Sequence, residues 1–134
     1  MEHNPNCVDF SKNRSFGIQQ LTRLREDKCF IERPKIPNYC KHNAHMYYIL
    51  LKSEDIRHKF ISFMKDNGIN CVFHYQPLHN FPIYLNKFLE DDELSIPNLP
   101  ITNKVSQRLV RLPLWIGIDS VQDYIIEKLI KFFD

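Results

Sequence analysis

Apolar positions along this chain change period several times, and the changes predict its elements. Ala44 to Lys52 is an apolar stretch rich in Tyr and Ile, the composition of a strand buried on at least one face. Ser53 then stands where a helix N-cap belongs, with Glu54 and Asp55 in the first turn, where the helix dipole favours acids. Ile56, Phe60, Ile61 and Met64 fall on one stripe, and Lys59 and Lys65 fall off it, so the spacing predicts an amphipathic helix. Gly68 marks a left-handed C-cap. Ile69 to Phe73 reads as the next strand, mostly buried. Strand, helix and strand within about thirty residues make a compact α/β unit.

Further on, Pro82 to Leu89 predicts a short helix, followed by a surface loop over Asp91-Asp92-Glu93 and the Pro97/Pro100 pair. Thr102 is the expected N-cap of a helix over Asn103 to Val110 that buries Val105, Leu109 and Val110. Arg111 to Leu114 is extended, and Pro113 argues for an edge position. Asp119 is the expected cap of a last helix, with Gln122 completing a capping box. Val121, Ile125, Leu129 and Phe132 form that helix's buried stripe, flanked by Tyr124 and Ile126. Trp115 is expected to pack.

Upstream, the first 14 or so residues are polar and frayed in character. Ile18, Leu21 and Leu24 give Ser15 to Glu26 a short amphipathic helix, and Cys29 to Ile31 a short strand. Arg33 to Pro37 is an extended connector, since each proline disfavours a helical predecessor. The fold expected is therefore α/β (α+β): a small sheet of about three strands with helices packed on it. Residues 1–29 form a poorly specified N-terminal segment and residues 30–134 the folded domain.

Composition narrows the function. The chain has 134 residues, 43% of them hydrophobic, enough for one globular core. A net charge of +2, with the basic residues scattered, argues against nucleic acid. The longest apolar runs, Met46–Leu51 and Leu112–Ile118, fall far short of the roughly 20 residues of a membrane span. No basic segment followed by an apolar one opens the chain, so a cytosolic, reducing compartment is expected. Cys7, Cys29, Cys40 and Cys71 are accordingly expected as free thiols. Three glycines cannot make a Gly-rich phosphate loop.

Two stretches carry the chemistry. Cys71-Val-Phe-His-Tyr-Gln-Pro-Leu-His79 ends an apolar run and turns into a loop holding two imidazoles, a phenol and an amide. Cys40-Lys-His-Asn-Ala-His-Met-Tyr-Tyr48 opens the other apolar run. The expectation is that both lie side by side on one face, as one wall of a pocket completed by chain from elsewhere.

His42-Asn-Ala-His-Met-Tyr-Tyr-Ile49, Val72-Phe-His-Tyr-Gln-Pro-Leu-His79 and Ser106-Gln-Arg-Leu-Val-Arg-Leu-Pro-Leu114 occur in order. At these intervals they resemble the C-terminal small domain of the DegT/DnrJ-type sugar-nucleotide aminotransferases, over roughly residues 30 to 134. The resemblance implies pyridoxal phosphate as the cofactor of the complete enzyme. It implies amino transfer from glutamate to a dTDP-4-oxo-6-deoxy-sugar, and a homodimer with active sites between subunits. It also implies a larger preceding domain carrying the Schiff-base lysine, the acid that pairs with the pyridine nitrogen and the phosphate loop. None of these is expected here, so no cofactor is expected on this chain alone and no catalytic residue is assigned.

The same resemblance makes His74, Tyr75 and His79 candidate substrate contacts at the mouth of the active site, with His42, Asn43 and His45 near the cofactor side. Against that stands a rigid turn whose imidazoles only satisfy backbone carbonyls. Tyr47 and Tyr48 are expected as core and rim aromatics. Arg108 and Arg111 are potential phosphate or carboxylate ligands, weighed against a solvated helix face with one salt bridge. Two other readings stay open: a non-catalytic binding or assembly module, and a zinc site from Cys40, His42, His45, Cys71, His74 and His79, whose spacing fits no standard finger.

Overall fold

The structure is a computed structural model that describes residues 31–35, 37–40, 46–90, 97–115 and 117–134. The expected helix at 15–26 and most of the 29–31 strand lie outside the described residues. Strand β1 (Ile31–Glu32) pairs antiparallel with β2 (Tyr47–Leu51), which pairs antiparallel with β3 (Leu109–Leu112), giving the order β1-β2-β3. The helices are α1 (Glu54–Asp66), α2 (Pro82–Glu90), α3 (Pro100–Arg108) and α4 (Asp119–Phe133), with a short 3-10 turn at Leu78–Asn80. A small antiparallel sheet flanked by helices is the α/β class expected.

Register follows from alternation. Tyr47, Ile49 and Leu51 point to the buried face of β2, and their partners Leu112, Val110 and Ile31 are buried too. A one-residue slip would turn this whole set outward. Beneath them lie Phe60 and Met64 of α1 and Ile125 and Leu129 of α4. Phe60 is fully buried, edge-on to Phe132 at 5.2 Å and stacked on Phe133 at 6.0 Å.

α1 begins and ends as its residues dictate. Ser53 is in extended conformation and its hydroxyl accepts from the Ile56 amide at 3.3 Å. At the other end Gly68 takes φ +75°. Its N–H reaches the Lys65 carbonyl and the Ile69 N–H the Met64 carbonyl, both at 2.9 Å, the paired bonds of a Schellman cap.

Elsewhere the structure corrects the sequence expectations. Ile69–Phe73 is not a full strand: only Val72 pairs, with Arg111, and Phe73 is 49% exposed. Arg111 is thereby flanked by Tyr48 on one side and, through a single bridge, by Val72 on the other, while β3 is otherwise the outer strand of the sheet, the edge position that Pro113 argues for. Pro113 sits just past β3 and costs the ladder nothing. α3 starts at Pro100, whose missing N–H suits the first helical position, and Thr102 lies inside it. The helix stops at Arg108 because Leu109 and Val110 are taken up by the sheet. Asp119 is the first residue of α4, and no side-chain capping bond is made there. Gln122 is buried and Val121 exposed, so the α4 stripe runs through Gln122, Ile125 and Leu129. Trp115 is 47% exposed rather than packed.

Candidate functional site

After the Val72 pairing the chain leaves the sheet and wraps back through Pro77 into the 3-10 turn. With the start of α1 and the exposed side of α3 it encloses an open cleft of about 460 Å³. Tyr75, Gln76 and Asn80 line it from the loop; Asn103, Ser106 and Gln107 line it from α3; Glu54 and Arg57 line it from α1, with Phe73 and Pro77 completing the wall.

Arg57 is the buried charge of this region, 5% exposed on the apolar side of α1. Its Nη1 donates to the Ser106 carbonyl at 2.8 Å and its Nη2 to Glu54 Oε1 at 2.8 Å. The guanidinium lies 5.0 Å from the Phe73 ring centroid, a cation–π contact. Its Nε is buried with no hydrogen-bond partner among the described residues. Arg57 thus ties α1 to α3 and floors the cleft.

Tyr75 is exposed and lines the cleft. His74 stacks on the Tyr75 ring, centroids 4.4 Å apart, and its Nδ1 accepts from Arg111 Nη1 at 2.6 Å, which leaves the ring proton on Nε2. Arg111 is therefore on a strand and engaged with an imidazole, not on a solvated helix face. His79 is 9% exposed, and its Nε2 donates to Asn103 Oδ1 at 2.9 Å, an oxygen that also accepts from Asn80 Nδ2 at 3.3 Å. The partner of His79 is a side-chain amide rather than a backbone carbonyl, and the bond pins the loop to α3. Arg108 pairs with Glu32 and donates to the Leu51 carbonyl. His42, Asn43 and His45 lie outside the described residues, so their placement beside the loop is not described.

Tyr47 is buried, and burial raises its phenol above the ordinary value; Tyr48 is half-buried at the rim. Burial also pushes the Cys71 thiol up to about 12, which keeps it neutral and a poor metal ligand near neutral pH. Among the described residues no three His, Cys, Asp or Glu side chains gather as metal ligands. No helix of the described residues is long and apolar enough to cross a membrane.

The residues that sequence reasoning missed are Arg57 and the amides Asn80, Asn103 and Gln107; Gln76 is the loop amide that the sequence singled out. Arg57 carried a signal: it lies three residues before Phe60 and seven before Met64, a charge on the apolar stripe. The three missed amides carried none, since Asn and Gln at polar positions are ordinary.

A sequence profile of the DegT/DnrJ/EryC1/StrS aminotransferase family matches residues 9–130. Among solved structures, the chain is similar to Helicobacter pylori PseC, an aminotransferase involved in the biosynthesis of pseudoaminic acid. The TM-score is 0.74 at 18% identity, over 91% of this chain and 32% of that one. It is similar to the putative sugar aminotransferase Spr1654 from Streptococcus pneumoniae in its apo form, with a TM-score of 0.74 and 21% identity over 90% of this chain and 30% of that one. The aminotransferase TlmJ from Streptoalloteichus hindustanus gives 0.72 and 17% over 92% and 30%. At these identities the likeness shows the fold, and the chain spans about a third of the length of the solved proteins it matches.

Proposed function

The chain belongs to the DegT/DnrJ/EryC1/StrS aminotransferase family, and from that premise we propose that it supplies the small-domain wall of a sugar-nucleotide aminotransferase's substrate pocket. The reaction is that of a dTDP-4-amino-4,6-dideoxygalactose transaminase: amino transfer from glutamate to a dTDP-4-oxo-6-deoxy-sugar, in a cytosolic homodimer. The observation that carries this reading is the cleft between the His74–Asn80 loop and α3, to which two of the three motifs of the family likeness contribute Phe73, Tyr75, Gln76 and Pro77, and Ser106 and Gln107.

Pyridoxal phosphate, held by the lysine of a complete enzyme, would supply the electron sink that amino transfer needs. The residues around this cleft do not fit that group. Among the described residues no lysine lines it, and the carboxylate of Glu54 is already engaged by Arg57. The cofactor and its lysine belong to a larger domain, and the 134 residues taken alone do not transaminate.

The test is reconstitution. The purified chain, pyridoxal phosphate, glutamate and dTDP-4-oxo-6-deoxyglucose are expected to give no aminated sugar until a lysine-bearing large-domain polypeptide is added. Turnover by this chain alone would refute the division of labour. The alternative, a non-catalytic binding or assembly module on the same fold, is favoured by Leu78, Ile83 and Ile101, apolar side chains each about two-thirds or more exposed. It predicts binding without turnover in any combination.

A further inference from the structure

The guanidinium of Arg57 is unevenly used. Nη1 donates to the Ser106 carbonyl and Nη2 to Glu54 Oε1, both at 2.8 Å. Nη2 also lies 3.3 Å from His58 Nε2, which can only accept from it. Nε is buried and has no acceptor among the described residues. A buried donor on a charged group is costly to leave unmade, so this side of the guanidinium points to an acceptor.

Nε and Nη2 share one edge of the planar fork, the edge that takes the two oxygens of a carboxylate in parallel. Glu54 covers that edge with a single oxygen on Nη2. Its side chain is 47% exposed and that of Arg57 6%, so the acid can turn away to solvent while the guanidinium stays. Both residues line the cleft. Asn103 adds a second donor: its Oδ1 accepts from His79 Nε2 and Asn80 Nδ2, which leaves its own Nδ2 to donate to a ligand. The charge count selects that ligand. Among the described residues Arg57 is the one cation lining the cleft, which matches a monoanion. Phosphate carries close to two charges at neutral pH and would face Glu54 as well.

We infer that the floor of this cleft is a binding site for a monocarboxylate, with Glu54 as the intramolecular stand-in that the incoming carboxylate displaces from Arg57. The site is independent of amino transfer: it asks only for the buried guanidinium, its unused edge and a half-exposed acid that can leave.

The experiment follows the Arg57 Nε–H signal by NMR in the full ¹⁵N-labelled chain, at neutral pH and at an ionic strength held constant with chloride. The probes are acetate, its neutral isostere acetamide and inorganic phosphate, each added alone. Acetate is expected to shift the signal saturably in the millimolar range, phosphate to bind more weakly and acetamide to leave the signal in place. No saturable shift from acetate overturns the inference, as does an equal shift from acetamide or tighter binding of phosphate. Glu54→Gln removes the competing charge at nearly constant volume and should tighten acetate binding by about threefold to tenfold; unchanged or weaker binding overturns the displacement. Arg57→Lys keeps the charge and loses the edge. Read at the Asn103 side-chain amide, it should weaken acetate binding by about tenfold or more, and retained affinity overturns the assignment to Arg57. Unmoved signals of Ile49 and Leu129 in the core check that both variants keep the fold, and where Arg57→Lys loses it, Glu54→Gln decides.

Discussion

Helices α4 and α3 border the same small sheet and are held by different physics. α4 buries Gln122, Ile125 and Leu129, and its terminal Phe132 and Phe133 close on Phe60 of α1. α3 buries no residue at all. It is held by single polar ties: Arg57 to the Ser106 carbonyl, His79 to Asn103, and Arg108 to Glu32 and the Leu51 carbonyl. Non-directional burial secures α4 through many contacts, each small; directional bonds secure α3 through a few, each replaceable. The cleft sits on the α3 side. A ligand wall held by polar ties can adjust without disturbing the core, which is where dynamic elements are usually found.

The comparison breaks first if the apolar side is not dominant. Phe60→Ala removes a fully buried ring from two aromatic contacts and should cost about 3–5 kcal/mol, read as a shift of the urea midpoint. A cost under about 1 kcal/mol would mean that the α1–α4 seam collapses around the gap and is not the anchor described.

Next is Arg57→Ala, expected to cost about 2–3 kcal/mol through loss of two charge-assisted bonds and the Phe73 contact. Its signature is regional. Hydrogen exchange should quicken in α3 while α4 keeps its protection. Equal loosening of both helices would show that Arg57 belongs to the common core.

The same contrast explains what could be read from residues alone. β2, α1 and the body of α4 were legible because burial imposes a period: Tyr47, Ile49 and Leu51 alternate, and Phe60 and Met64 recur at helical spacing. The Ser53 cap and the Gly68 turn were legible because each answers a local backbone need. α3 was not. Thr102 resembles a cap as well as Pro100 resembles a first-turn residue, and nothing local tells Leu109 that β2 will claim it. Val121 and Gln122 exchanged roles for a similar reason: a rotation of one position along α4 decides which is buried, and hydrophobicity alone chose wrongly. Asn80 and Asn103 were invisible because the partners that place them lie 23 and 24 positions away.

Cys71 gives a pH-dependent test at the point where core meets loop. Its thiol is 3% exposed, and desolvation raises it from 9.0 to about 12. A raised value means that the folded state holds the proton longer. This contribution is complete below pH 9 and is lost as pH rises toward 12. Wild-type stability should fall by about 1 kcal/mol between pH 8 and 10 from this group, and the fall should shrink by that amount in Cys71→Ala. In peptide mapping at neutral pH, exposed Cys40 should alkylate readily and Cys71 only on unfolding. Rapid native labelling of Cys71 would show that the segment below the loop opens.

The smallest effect tests how α3 meets the sheet edge. Glu32 on β1 pairs with Arg108 at the end of α3, and that hydrogen bond, with the guanidinium charge behind it, holds the carboxyl below the ordinary carboxylate value. A lowered value means that the pair contributes above the unfolded carboxylate pKa, and that the contribution is lost as pH falls through the folded one. Glu32 is largely exposed, so water and salt screen the pair, and Glu32→Gln should cost less than about 1 kcal/mol at neutral pH. That cost should decline further as ionic strength rises. A loss as large as that of Arg57→Ala, or one indifferent to salt, would move the anchor of α3 from the buried guanidinium of α1 to the edge strand. The cleft would then be framed from the sheet, and its floor would no longer depend on Arg57.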